Sequence, residues 1–295
     1  MNKEDVLTMF SAMNSNNPKI NLLLSNLDFF EDICNYILSR GEITEPHMSG
    51  LTNLSIEESY DISKKVLDGI NPRYSNIFNQ YLSNGNIKVE DRSMFYMGDG
   101  SVSLNENVIK IRYGIHKDIN DVYLIVHEFM HSLNAKNEKQ KEREILTEGF
   151  AIFSEYKVLE YLKNNNILDE ESSILPQMRN YAFYSRIKLL GEYIRTIRYI
   201  NQHKEECVNL REAKESNIDK ILETIQYSWG SILSNLLYGK YIKQEFNDDM
   251  YSNINENMGN ETYYDLLFKN GLKIEDFIYG YEETIKLISS NKFSM

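Results

Sequence analysis

The chain has 295 residues, with 32 Lys+Arg against 44 Asp+Glu, a formal charge of −12 and 42% hydrophobic residues. That length supports one large domain or two modest ones with a real core. The acidic balance and the dispersal of the basic residues argue against an electrostatic nucleic-acid binder and against attraction to anionic membrane. The two cysteines, Cys34 and Cys207, cannot build a disulfide framework and read as structural thiols in a reducing compartment. The stretch from Met1 to Lys19 has no apolar core of signal-peptide length, and no segment reaches bilayer-spanning length. The expectation is a soluble, cytoplasmic protein.

Four prolines and long apolar patterns of period 3.6 predict a mostly α protein. Ile20–Leu38 reads as the first helix, and Arg40–Asn53, with Gly41, Pro46, His47 and Gly50, as a break. Ser55 and Glu58 have the spacing of a capping box and open the next helix. Asn71-Pro72 ends that helix or starts another, which runs to about Leu82, and Asn84-Gly85-Asn86 is a turn signal. Residues 1–54 read as an N-terminal helical segment and 55–295 as the main unit, the two forming one compact body.

Arg92–Tyr113 differs. It carries Gly98 and Gly100 and then the alternating run Asn107–Tyr113, which predicts a strand or short hairpin. Helix resumes over Asp118–Leu133, with Asp118, Asn120 and Asp121 at its start, where acceptors and negative charge are favoured. Asn134–Glu144 is a polar connection whose basic cluster Lys139–Arg143 reads as a solvated loop. Further helices follow over Leu146–Leu162, Met178–Gln202, Ile218–Phe246 and Glu261–Ser289, with loops at Asn164–Glu171 and Asn247–Asn260.

The sharpest feature is His127-Glu128-Phe129-Met130-His131. Histidines at i and i+4 share one helix face, where both imidazoles reach one metal ion. The glutamate beside the first histidine points to where that metal's water sits and takes its proton. A catalytic zinc needs a third protein ligand and an open position. His47, His116 and His203 stand in no downstream ligand motif, and the candidate is Glu148, after residues 132–147 for a turn and a return helix. Glu148, Ile152 and Glu155 share a face at i, i+4 and i+7, so Glu148 can ligate while Glu155 braces a ligand histidine.

These motifs resemble the gluzincin metallopeptidases, and within them the catalytic half of the thimet oligopeptidase and oligoendopeptidase F family. Val108–Ile111, Asp118–Val122 and His127–Ser132 are similar in order to the family's edge strand, loop and zinc helix. Glu148–Phe153, Glu155 and Leu159–Leu162 resemble its third-ligand helix. Tyr227-Ser228-Trp229, followed by Leu236–Tyr238 and Tyr241, resembles its tyrosine-bearing helix, and Tyr264–Leu267, Asn270–Leu272 and Phe277 its C-terminal helices. The likeness runs from about Ser55 to the C-terminus. The chain is shorter than family members, as is the gap from His131 to Glu148, and no histidine stands just before Tyr227.

The resemblance implies a helical zincin-type domain with one Zn²⁺ held by His127, His131 and Glu148 at the floor of a bowl. A peptide would lie extended along the strand near Val108–Arg112, adding to its edge. Gly98 and Gly100 either admit that backbone closely or form a plain turn. Zinc polarises the scissile carbonyl, and Glu128 delivers the water and protonates the amine. Tyr227 is the candidate oxyanion donor by resemblance, with Tyr181, Tyr184 and Tyr238 as competitors, while Trp229 reads as core. The implied activity is zinc-dependent hydrolysis of oligopeptides or unfolded segments. Glu148–Ala151 also resembles the aminopeptidase gluzincins, and a single-substrate regulatory protease or an inactive peptide-binding module are the other readings.

Overall fold

The structure, a computed structural model, describes residues 3–46, 51–90, 100–105, 108–114, 116–134, 143–167, 172–203, 218–246 and 271–289. In chain order the helices are α1 (Lys3–Met13), α2 (Pro18–Ser25), α3 (Leu27–Ser39), α4 (Ile56–Ile70) and α5 (Pro72–Ser83). Three strands follow: β1 (Ile87–Glu90), β2 (Gly100–Asn105) and β3 (Val108–Gly114). Then come α6 (Asn120–Asn134), α7 (Arg143–Asn164), α8 (Ile174–Gln202), α9 (Ile218–Ile242) and α10 (Ile274–Ser289). The fold is mostly α, as the proline scarcity and the periodicity predict. None of the described helices is long and apolar enough to cross a membrane.

Several boundaries differ from expectation for local reasons. The first predicted helix is two, because Asn26 leaves helical geometry at φ −131° and turns its amide back on Leu22 O at 2.8 Å. The N-terminal helix α1 precedes them and is not marked in the sequence pattern. Helix α8 begins at Ile174 rather than Met178, with Pro176 in its first turn, where the missing N–H costs nothing. The capping box forms as predicted: Ser55 Oγ accepts from Glu58 N at 3.2 Å, and the Glu58 carboxylate accepts from Ser55 N at 2.8 Å.

The predicted hairpin is β2 with β3, antiparallel, and β1 adds to β3 in parallel. The strand order is therefore β1-β3-β2. The stretch Val108–Arg112, expected to take a peptide, belongs to the central strand of the described sheet. β2 pairs with β3 from Val108 to Tyr113, and β1 covers its other side from Ile111 to Gly114. Among the described residues, β2 is an outer strand of the sheet. Its first residue is Gly100, opposite Tyr113. Gly98 lies outside the described residues, as do His47, Cys207, Lys139–Glu142, Asn247–Asn260 and Tyr264–Asn270.

Helix α6 is the spine. The sheet lies against it, and α4 and α7 pack along it. Val122, Tyr123, Ile125, Val126 and Phe129 are fully buried. Phe129 meets Tyr74, Phe78 and Tyr81 of α5 edge-on, with centroids 5.7–6.3 Å apart. That grip fixes the rotation of α6 about its axis. Asp121 fixes its start by accepting from the backbone N–H of His116 at 2.7 Å and of Lys117 at 2.9 Å.

Close helix crossings set the rest. A Cβ on Gly149 of α7 would sit 2.6 Å from Leu233 Cδ2 of α9, and one on Gly230 of α9 would sit 2.7 Å from Glu148 Cγ. At the other end of α9, a Cβ on Gly280 of α10 would meet Asn235 O at 1.9 Å. Trp229 is buried in an aromatic cluster with Phe29 and Phe30 of α3, as its core reading predicts. Cys34 is buried, and burial pushes its thiol up to about 12, which keeps it inert.

Candidate metal centre

The i, i+4 spacing on α6 brings the two imidazoles together. His127 Nε2 and His131 Nε2 are 3.1 Å apart. From the antiparallel neighbour α7, Glu148 places Oε2 3.5 Å from His131 Nε2 and Oε1 4.0 Å from His127 Nε2. All three donor groups lie within 4.8 Å of one another. His127 and Glu148 are buried and His131 is partly open, so the cluster faces solvent on one side. Glu128 is buried beside them at 8% exposure.

Two helical turns beyond Glu148 on the same face, Glu155 Oε1 lies 2.7 Å from His127 Nδ1. A buried carboxylate there accepts the Nδ1–H and fixes the tautomer, so His127 Nε2 presents a lone pair. Glu155 in turn accepts from Arg179 Nη2 of α8 at 3.1 Å. Burial raises the Glu155 carboxyl, but the Arg179 charge and the His127 hydrogen bond outweigh it and hold the group below its ordinary value. Burial also raises Glu148, yet His131, His127 and Arg179 bring it down to about 2. Burial lowers His127, and the hydrogen bond to Glu155 with the charges of Glu148, Glu155 and Glu128 reverses that. Carboxylates thus concentrate negative potential on the imidazole pair.

This donor set fits zinc. Ligand atoms about 2.0–2.1 Å from a tetrahedral ion lie about 3.3 Å apart. The observed 3.1 and 3.5 Å bracket that separation, and 4.0 Å lies a little beyond it. With Glu155 holding the His127 proton on Nδ1, the His127 Nε2 lone pair faces His131 Nε2 at 3.1 Å. Three ligands leave an open position, as catalytic sites do.

A cleft between α7, α8 and α9 opens beside Glu148. It is lined by Ile152 and Tyr156 of α7, Arg179, Phe183 and Arg186 of α8, and Tyr227 and Ser231 of α9. Of the four tyrosines weighed from the sequence, Tyr227 alone lines this cleft. Tyr238 is buried between Tyr156 and Tyr241, and Tyr184 carries Lys188 over its ring. Tyr227 is half-buried, and burial, with Glu148 and Glu223 nearby, raises its phenol so that it stays protonated at neutral pH. Tyr156, with its hydroxyl 3.4 Å from Asn235 Nδ2, lines the cleft and carries no sequence signal. Arg179 and Arg186 were equally unmarked: no motif surrounds them, and only their spacing of seven on α8 puts them on one face.

No protein-family profile matches the sequence, and no curated protein matches it. The fold is similar to that of a protein from Chlamydophila abortus described as a peptidase, with a TM-score of 0.66 at 17% identity over 95% of this chain. It is similar also to a protein from Bacillus anthracis strain Ames described as an oligoendopeptidase F, with a TM-score of 0.53 at 14% identity over 95% of this chain. The chain spans 56% and 58% of those two proteins. At these identities the likeness is one of fold: a peptidase-like, mostly helical architecture.

Proposed function

We propose that the chain is a zinc-dependent metallopeptidase. The observation that carries this reading is the convergence of His127 Nε2, His131 Nε2 and the Glu148 carboxylate, with Glu128 beside them on the zinc-binding helix. His127, His131 and Glu148 would hold the ion. Bound Zn²⁺ supplies Lewis-acid polarisation of a peptide carbonyl and acidifies water toward neutral pH.

The rest of the chemistry belongs to the chain's own groups. Glu128 accepts a proton from the attacking water and hands it to the leaving amine nitrogen. Tyr227 donates its O–H to the developing oxyanion, a role its raised pKa serves by keeping the proton in place. Glu155 holds His127 in the tautomer whose Nε2 is free, and Arg179 keeps Glu155 anionic. The substrate is an oligopeptide or an unfolded segment. An extended substrate adds to an edge of this sheet, at β2 or at Val108–Lys110 of β3, which β1 does not reach.

The test is metal content beside peptide cleavage. Purified protein should hold one zinc per chain, cut peptides, stop on chelation and resume on zinc addition. Zinc-loaded protein that cuts nothing in a diverse peptide mixture would count against the reading.

A further inference from the structure

The cleft beside Glu148 carries more positive charge than the zinc chemistry uses. Arg179 and Arg186 are seven residues apart on α8 and face the same space. Arg179 is committed to Glu155 through Nη2, yet its Nε is shut off from solvent and has no hydrogen-bond partner among the described residues. Arg186 is more exceptional. Its guanidinium carbon sits 4.7 Å above the Tyr227 ring, and among the described residues it has no ion pair at all. Burial, and then the neighbouring Arg179 charge, push the Arg186 guanidinium below its ordinary value, and the charges of Glu148 and Glu223 offset this only in part.

A half-buried arginine with no direct ion-pair partner loses hydration without recovering it in a contact pair. Stacking on a tyrosine leaves the edge of the guanidinium, with its N–H donors, free to take a carboxylate bidentately. The cleft is bounded by Ile152 and Phe183, apolar walls that strengthen such a pair by excluding water.

We propose that Arg186, with Arg179 beside it, is the receptor for a carboxylate of the peptide substrate, held next to the scissile bond. This deepens the metallopeptidase reading and rests on it. The carboxylate comes either from an Asp or Glu side chain or from the substrate's C-terminus. Both offer the same planar anion. Because Tyr227 lies under Arg186, the anion and the oxyanion donor are set in register by one stacked pair.

The experiment uses the zinc-loaded full chain and three matched peptides: one with a glutamate and an amidated C-terminus, one with glutamine and a free C-terminus, and one with glutamine and an amidated C-terminus. Wild type should favour one of the two acids over the doubly neutral peptide by about 10- to 100-fold in kcat/KM, and the favoured acid identifies the source. Arg186→Gln should lower kcat/KM for that acid at least 10-fold more than for the neutral peptide, and Arg186→Lys should recover part of the difference. Equal losses for acid and neutral peptides, or no acid preference in wild type, overturn the proposal. A parallel calorimetric titration of the same peptides into Glu128→Gln protein, with and without Arg186→Gln, needs no turnover. An acid preference there that vanishes with Arg186→Gln supports the receptor even where no bond is cut, whereas equal binding of acid and neutral peptides refutes it.

Discussion

Gly230→Ala tests whether α9 positions the third ligand. The added Cβ would lie 2.7 Å from Glu148 Cγ and 3.1 Å from Glu148 Cβ. Carbon atoms pack at about 3.5–4.0 Å, so the overlap is about 1 Å. The end of a side chain can swing aside from such a contact. The Cβ and Cγ of Glu148 cannot move that far without taking the carboxylate with them, or else α7 and α9 must part. Either response moves Glu148 away from His131, now 3.5 Å distant. Overpacking of this kind costs about 1–3 kcal/mol, or a fall of several degrees in melting temperature for a chain of this size. Zinc affinity should fall about 10- to 100-fold as well, the scale seen when a ligand loses its support.

Gly191→Ala is the control. Its Cβ would meet Cys34 Cβ at 3.9 Å, ordinary contact, inside the helix α8. It should leave zinc binding unchanged and stabilise by about 0.5–1 kcal/mol through helix propensity. Differential scanning calorimetry and competitive zinc titration read both variants. A Gly230→Ala protein with wild-type zinc affinity would refute the claim that this crossing seats Glu148.

Glu128→Gln should keep zinc and lose about 10²–10⁴-fold in kcat, measured on a quenched fluorescent peptide; residual wild-type turnover would remove Glu128 from its role. His131→Ala and Glu148→Ala should each lose bound metal by atomic absorption, and full retention in Glu148→Ala would take that residue out of the ligand set. Tyr227→Phe should lower kcat about 10²–10³-fold with KM little changed, and an unchanged rate would leave the oxyanion donor to another group. Asp276 anchors the start of α10. Burial raises its carboxyl, but Lys243 at 2.7 Å, Lys273 N and Lys240 hold it below the ordinary value of 3.8. Its stabilising contribution is therefore complete above the unfolded pKa and is lost as pH falls through the folded one. Stability of Asp276→Asn should depend less on pH below about 4 than that of wild type, measured by denaturant unfolding.

What the sequence discloses and what it hides divide along physical lines. His127, Glu128 and His131 are legible because a helix of known period turns spacing into a shared face. Glu148 and Glu155 are legible by the same period on α7, and the structure sets both against the imidazole pair. The capping box at Ser55 is equally local. The sheet order is not local. β1 contributes only Ile87–Glu90, too short for alternation to show, and its parallel pairing with Ile111–Gly114 makes β3 the central strand of the described sheet. The arginines escape because their meaning lies in the third helix they face. Nothing in Arg179 or Arg186 separates them from surface cations until α8 is laid across α7 and α9. Gly149 and Gly230 are silent for the same reason: their use is the close approach of another helix.

The most direct test of the central claim is cleavage of a mixed peptide library by zinc-loaded wild type beside Glu128→Gln, read by mass spectrometry. The account predicts that wild type cuts, that the chelated protein and Glu128→Gln do not, and that the cut positions separate internal cleavage from trimming at the ends. Equal cutting by wild type and Glu128→Gln, or no cutting by a wild-type protein with one zinc per chain, would contradict it.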